Sequence, residues 1–307
     1  MADIVIIGGI NIDIEGYPYK DLVEQDSNPG RIKISYGGVG RNIAENAARI
    51  GEKVAMLSVI GADELGRGAR SHLAGLGVDV SMVREIPGRG SAIYLSILNP
   101  NRDMHLGLCD MEIIQELTAA DIRKAGTVFE SAAAVALDGN LEEEMLRDAT
   151  EILSDKMLFY DPVSANKAHR AKACIGHFHS IKPNLIEAEV LSGMQIETDE
   201  ELRNAARYFL DKGVKNVYIT LNCDGVYFKN KEKEGFIRPP KSIKIESATG
   251  AGDAFSAAVL YGMAHGLEID EIAALGMAAS QIAMESEKAV NEKINIEDIK
   301  RRVTQNV

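Results

Sequence analysis

The chain has 307 residues, 46% hydrophobic and 26% charged, with a net charge of −12. That length buries a large core, as one big α/β domain or two smaller ones, and the acidic balance excludes a general nucleic-acid or anionic-membrane binder. It does not exclude a phosphate site, which depends on local backbone dipoles rather than total charge.

Three scattered cysteines, Cys109, Cys174 and Cys223, form no disulfide framework and point to reduced thiols in the cytoplasm. No apolar run is long enough to span a bilayer.

Residues 1–14 are apolar but short and lack a basic leader, so they read as a first strand rather than a signal peptide. Within them, residues 4–7 followed by Gly8 and Gly9 have the pattern of a buried parallel strand. Asn11 and Asp13, two apart, point to one side of an extended chain, at a strand end where open α/β sheets bind ligands. Residues 31–36, 92–98 and 104–108 alternate apolar and polar, as strands of a small separate sheet or lid do, with a turn at 99–102 between the last two.

The remainder alternates helix and strand. Helices are predicted at 42–50, 200–212, 253–265 and 269–284, and strands at 54–60, 132–137, 156–160, 216–221 and 226–228. This pattern predicts a mostly parallel sheet with helices on both faces. The highly charged stretch 285–293 reads as a solvated loop or helix end.

The most informative stretch is Thr249-Gly250-Ala251-Gly252-Asp253, which opens an apolar helical run. A helix start offers unpaired N–H groups and the positive end of a dipole, and tiny residues let a phosphate approach them. An acid there is electrostatically wrong for a mere anion site but right for taking a proton from a hydroxyl that attacks the phosphate. A glycine turn simply capped by Asp253 is the competing reading.

Gly37-Gly38-Val39-Gly40-Arg41-Asn42 is a second glycine-rich helix start. It fails the dinucleotide pattern, and no P-loop is present. Its backbone and Asn42 suit polyol hydroxyls; Asn42 as a plain N-cap is equally consistent. Asn184 and Glu187, three apart at a helix start, suit the water shell of Mg²⁺ or an ordinary surface helix start. His177 and His179 near Cys174 match no common zinc spacing.

Together these elements, in this order, resemble the ribokinase family, the PfkB-type carbohydrate kinases. The resemblance implies a ribokinase-like α/β fold, a single kinase domain over residues 1–307 and lid segments at about 14–36 and 91–110. It implies ATP and Mg²⁺, a small-molecule acceptor, no nucleic-acid or membrane partner, and a homodimer formed through the lid sheet.

It also implies residue roles. Asp253 is the expected base, and Gly250, Ala251 and Gly252 the anion hole. Asn11, Asp13, Gly38, Val39, Asn42, Asp138 and Asn140 would meet the acceptor. Asn184, Thr220, Asn222, Gly225 and Gly252 would meet the nucleotide, and Glu187 would hold Mg²⁺ through water. Ser247 stands where the family usually has an acid that helps bind a monovalent cation, so potassium, with Ser247 and Thr249 as its candidates, is the weakest element of the pattern. Asn222 replaces the usual glycine of its loop but tolerates positive φ.

Residues 26–33, 161–165 and 182–184 are similar to the branch of the family that phosphorylates a C-glycosidic nucleoside, with Tyr94, Ser96 and Asp110 as candidates for reading the base. The alternatives are a kinase for ribose, another nucleoside or a sugar phosphate, and a nucleoside binder without chemistry. A phosphorylated acceptor would need a cationic clamp from Arg31, Lys33, Arg41 and Arg102, of which alternation turns Arg31 and Lys33 outward.

Overall fold

The computed structural model describes residues 2–239 and 245–305; residues 1, 240–244 and 306–307 of the expected domain lie outside the described residues. The chain begins with β1 (Ile4–Ile7), β2 (Asn11–Pro18), β3 (Gly30–Gly37) and α1 (Val39–Arg49). β4 (Val54–Gly61), α2 (Glu64–Gly75), β5 (Val83–Ile86), β6 (Ala92–Leu98) and β7 (Met104–Asp110) follow. Two short helices, α3 (Ala119–Lys124) and α4 (Gly126–Glu130), lead to β8 (Ala134–Asp138), α5 (Glu143–Ile152), β9 (Leu158–Asp161) and α6 (Ala165–Ala168). Next come β10 (Ser180–Ile181), α7 (Leu185–Ser192), α8 (Asp199–Lys212), β11 (Asn216–Thr220), β12 (Val226–Lys229) and β13 (Glu234–Ile237). The C-terminal helices are α9 (Ala251–Ala264), α10 (Ile269–Met284) and α11 (Ile296–Gln305).

Among the described residues the large sheet has nine strands, in the order β13-β12-β11-β10-β9-β8-β1-β4-β5. All neighbours from β11 to β5 run parallel, and among the described strands only β12 runs against the rest, pairing antiparallel with β11 and β13. β1 is buried on both faces: Ile4 and Ile6 join one apolar cluster, Val5 and Ile7 the other. That is why its sequence is a continuous apolar run rather than an alternation. The chain moves from β1 to β4 on one side and later fills β8 on the other, so strand order reverses at β1. Ligands of open α/β sheets bind at the carboxyl ends of strands beside such a reversal.

The apolar segment expected as one strand over residues 1–14 is two strands of two sheets, separated at Gly8 and Gly9. β2 belongs to a second sheet of four strands, ordered β3-β2-β6-β7. Its register aligns Asp13 with Ser35 and Tyr94, and Glu15 with Lys33 and Ser96. These residues share one face, which lines a cleft. The other face carries Ile32, Ile34, Leu106 and Leu108, each more than half exposed.

α9 is anchored by its first aromatic side chain. Phe255 is buried, meets the ring of Tyr218 edge-on at 6.0 Å, and occupies the space above Gly276 of α10, where a Cβ would come within 2.7 Å of the ring. The charged stretch 285–293 is only partly solvated: Val290 is buried, and the Ala289 carbonyl presses on the start of α9.

Candidate active site

The glycine-rich start of α9 is open. Gly250 is its N-cap with φ 80°, and its missing Cβ would sit 1.7 Å from the Ala289 oxygen, so only glycine fits there. With no side chain at the cap, and no protein acceptor for the Gly252 or Asp253 N–H among the described residues, the positive end of a 14-residue helix faces outward. Asp253 is the third helical residue, not the cap. Its side chain reaches α1, where the Asn42 Nδ2 donates to its Oδ2 at 2.6 Å. The simple capping reading of Asp253 therefore fails.

Asp253 is 8% exposed, and its pKa is pushed up to about 7, first by burial and then by the charge of Asp161. The Asn42 donor, Lys182 and Arg41 pull the other way. A carboxyl poised near neutral pH is suited to accept a proton during turnover.

Lys182, just beyond β10, is buried, and its Nζ lies 3.2 Å from Asp161 at the end of β9. Burial works against its ammonium, but Asp161, Glu187 and Asp253 outweigh that and hold its pKa above the usual lysine value. The Ser256 hydroxyl donates to the same Asp161 oxygen at 2.6 Å. Neither Asp161 nor Lys182 was assigned a role from sequence, because only the sheet brings residues 161, 182 and 253 together.

Asn184 and Glu187 form a reciprocal capping box at the start of α7: Glu187 N–H donates to Asn184 Oδ1 at 2.9 Å and Asn184 N–H to Glu187 Oε2 at 2.7 Å. Glu187 is nevertheless buried, and burial raises its pKa while Lys182 lowers it. Thr220 is beside this pair, its N–H donating to the Pro183 oxygen at 3.0 Å. Beyond it Asn222 takes φ 52° and Gly225 closes the turn, as the substitution of asparagine for glycine there allows. The Ser247 hydroxyl accepts from the Thr249 N–H at 3.1 Å.

The second glycine-rich start, at α1, is sealed. Asp138 Oδ2 accepts from Gly9 N at 2.9 Å, Gly40 N at 2.8 Å and Asn140 Nδ2 at 3.0 Å, and its Oδ1 accepts from Asn140 N at 2.9 Å. The Arg41 N–H goes to the Gly9 oxygen. Asp138 thus spends its carboxylate clasping the β1 and α1 turns, and Asn140 Oδ1 accepts from Lys167 Nζ at 2.6 Å. Gly38 is the N-cap of α1 at φ 98°, and Val39 packs on the core.

Asn11 Nδ2 donates to Asp13 Oδ1 at 2.6 Å, so the pair does share a side. Burial raises the Asp13 pKa, with Asn11 and Arg41 opposing. Asp13, Tyr94 and Ser96 line a cleft of about 940 Å³ between the small sheet and α1. Asp110 does not belong there: it pairs with Ile93, on the opposite parity, and accepts from the Glu112 N–H at 3.3 Å. Lys33, expected outward, has the parity of Asp13 and pairs with Glu15 at 3.2 Å. A smaller cleft of about 350 Å³ opens at the far end of α9, which the helical rise places about 20 Å from Gly250.

Residues 1–295 match the pfkB family carbohydrate kinases. The chain belongs to that family. It is 33% identical over 296 residues to the pseudouridine kinase of Escherichia coli (strain K12), covering 96% of this chain and 95% of that one. It is 26% identical over 302 residues to the ribokinase of Haemophilus influenzae, covering 92% of each. A carbohydrate kinase structure from Agrobacterium tumefaciens matches it with a TM-score of 0.86 at 25% identity, over 99% of this chain and 97% of that one. As a pfkB kinase, the protein is an ATP-dependent phosphotransferase with an alcohol group as acceptor.

Proposed function

We propose that the protein transfers the γ-phosphoryl group of ATP to the 5′-hydroxyl of pseudouridine, giving pseudouridine 5′-phosphate and ADP. The observation that carries the transfer is the buried Asp253 carboxyl, turned toward α1 beside an uncapped glycine-rich helix start. Asp253 takes the acceptor's proton, and the Gly250, Ala251 and Gly252 backbone meets the charge on the phosphoryl group in flight.

The choice of a nucleoside rests on the cleft and on the likeness to pseudouridine kinase. Among the described residues lining the cleft, Lys33 meets Glu15 and Arg41 meets the buried Glu45, while Arg102 and Lys288 stand in solvent-exposed pairs with Glu287 and Glu292. The two cations nearest Asp13 are thus already held by carboxylates, which favours a neutral acceptor over a phosphorylated one. Asn11, Asp13, Gly38, Val39 and Asn42 would meet the ribose, with Asp138 and Asn140 holding the turns beneath it. Tyr94 and Ser96, which line the same cleft, are the candidates for reading the uracil edge.

Asp161, Glu187 and Asp253 surround the buried Lys182, and the buried Arg41 faces Asp253 from α1, so buried acids outnumber buried bases. This excess of negative charge fits a divalent cation, with Glu187 holding it through water and Asn184, Thr220, Asn222, Gly225 and Gly252 facing the nucleotide. Bound Mg-ATP supplies the phosphoryl group and Lewis-acid charge. Ser247 and Thr249 remain candidates for a monovalent cation. The single kinase domain works in the cytoplasm, with the small sheet as its lid, and a second copy covers the lid's exposed Ile32, Ile34, Leu106 and Leu108. No described helix is long and apolar enough to cross a membrane.

ADP release with Mg-ATP and pseudouridine, uridine, ribose or fructose 6-phosphate tests this. Strong preference for pseudouridine is expected. Preference for another acceptor would overturn the substrate, and no turnover with any would leave a binder, recognised by stabilisation without ADP.

A further inference from the structure

Arg41 is a buried guanidinium beside the site that the phosphotransfer scheme above does not use. It is 3% exposed and has the buried Glu45 one helical turn away. Its Nη1 donates to Glu45 Oε2, and its Nη2 donates to Asn42 Oδ1. Its Nε is buried without a partner. Glu45 is itself held from three sides: by Arg41, by Arg49 Nε at 2.8 Å and by His72 Nε2 at 3.1 Å. Arg49 in turn donates to the Glu292 carbonyl at 2.9 Å. Arg41 therefore has a fixed position, set by α1, α2 and the loop before α11.

That position decides which way the Asn42 amide points. A guanidinium has only donors, so the atom of Asn42 facing it must be the acceptor, Oδ1. The NH₂ group must then face Asp253, and it does, at 2.6 Å. A carboxylate Oδ2 that receives this donor is held as an acceptor, which leaves Oδ1 to take a proton. Without Arg41 the amide is free to turn over and present its own oxygen to Asp253, which only a protonated carboxyl can satisfy.

We propose that Arg41, locked by Glu45, is a positioning residue that fixes the Asn42 amide so that Asp253 is presented ionised to the acceptor hydroxyl. The inference rests on reading Asp253 as the base. The charges facing Asp253 are Asp161 from β9, Lys182 from beyond β10 and Arg41 from α1. Those facing Arg41 are Glu45, Asp253 and Asp13. Arg41 thus also opposes Asp161 electrostatically, so its loss shifts the titration of Asp253 in the same direction as the amide turnover does.

The test is the pH dependence of kcat and KM from pH 5.5 to 9 for the wild type and the variants R41M, R41M/E45Q, R41K and D253N, with the acceptor that turns over fastest. R41M leaves Glu45 buried without its main counter-charge, so the double variant, with neutral side chains of similar size, is the one that keeps the fold. R41M/E45Q is expected to lose about 10- to 100-fold in kcat and to move the acid limb up by about one pH unit. R41K, which keeps the charge but cannot fork between Glu45 and Asn42, restores the limb but not kcat. A folded R41M/E45Q with wild-type kcat and an unmoved limb overturns the inference and leaves the base reading standing. Near-full turnover of D253N overturns the base reading itself.

Discussion

Two glycine-rich helix starts face each other in this fold, and they do opposite things. At α1 the turn is closed: Asp138 receives the Gly9 and Gly40 amides, and the Arg41 amide goes to the Gly9 carbonyl. At α9 no side chain caps the helix, and no described group takes the Gly252 and Asp253 amides. Similar sequence therefore encodes a clasp in one place and an anion site in the other. The difference lies in where the nearest carboxylate points. Asp138 points into its turn and is consumed by four donors, whereas Asp253 points away from its own helix start toward α1 and receives one.

Removing each carboxylate sharpens the contrast. D253N should lower kcat by about 10²- to 10⁴-fold with little change in acceptor KM, because its work is done in the transition state. D138N should instead cost about 3 kcal/mol of stability, measured by urea unfolding, because an amide NH₂ would then confront N–H groups that need an acceptor. A D138N protein of wild-type stability would break the comparison.

A pH-linked effect separates them further. The folded pKa of Asp253, about 7, lies above its ordinary 3.8, so the folded state binds this proton more tightly. The stability tied to that proton is present below about pH 4 and is lost as pH rises through about 7. D253N should therefore be more stable than the wild type at pH 8, by on the order of 2 kcal/mol, and no more stable at pH 4. Thermal melts at the two pH values measure this. The smallest expected effect is that of D13A at the small sheet: about tenfold in acceptor KM, with kcat within a few fold. A fall in kcat alone would move Asp13 out of acceptor binding.

Much of this was readable from the chain. The βα alternation, the small-sheet strands and both glycine-rich turns were visible because each is a local pattern of a few residues. The pairing of Asn11 with Asp13 followed from strand parity alone. What was hidden is long-range. Lys182 and Asp161 meet through strand order, and the Glu45 that holds Arg41 is itself held by His72 from α2. The wrong face given to Lys33, and the candidacy of Asp110, came from strand parity that only the registers of β3 with β2 and β7 with β6 settle. Nor could the sequence distinguish the sealed turn from the open one, since the acid that seals α1 comes from β8, about a hundred residues away.

The measurement that bears most directly on the account is the pH dependence of kcat/KM for the wild-type enzyme. If Asp253 is the base and its pKa is raised by burial and by Asp161, activity rises through an acid limb near pH 7. A profile that stays flat down to pH 5, where an ordinary carboxylate is still ionised, would contradict it.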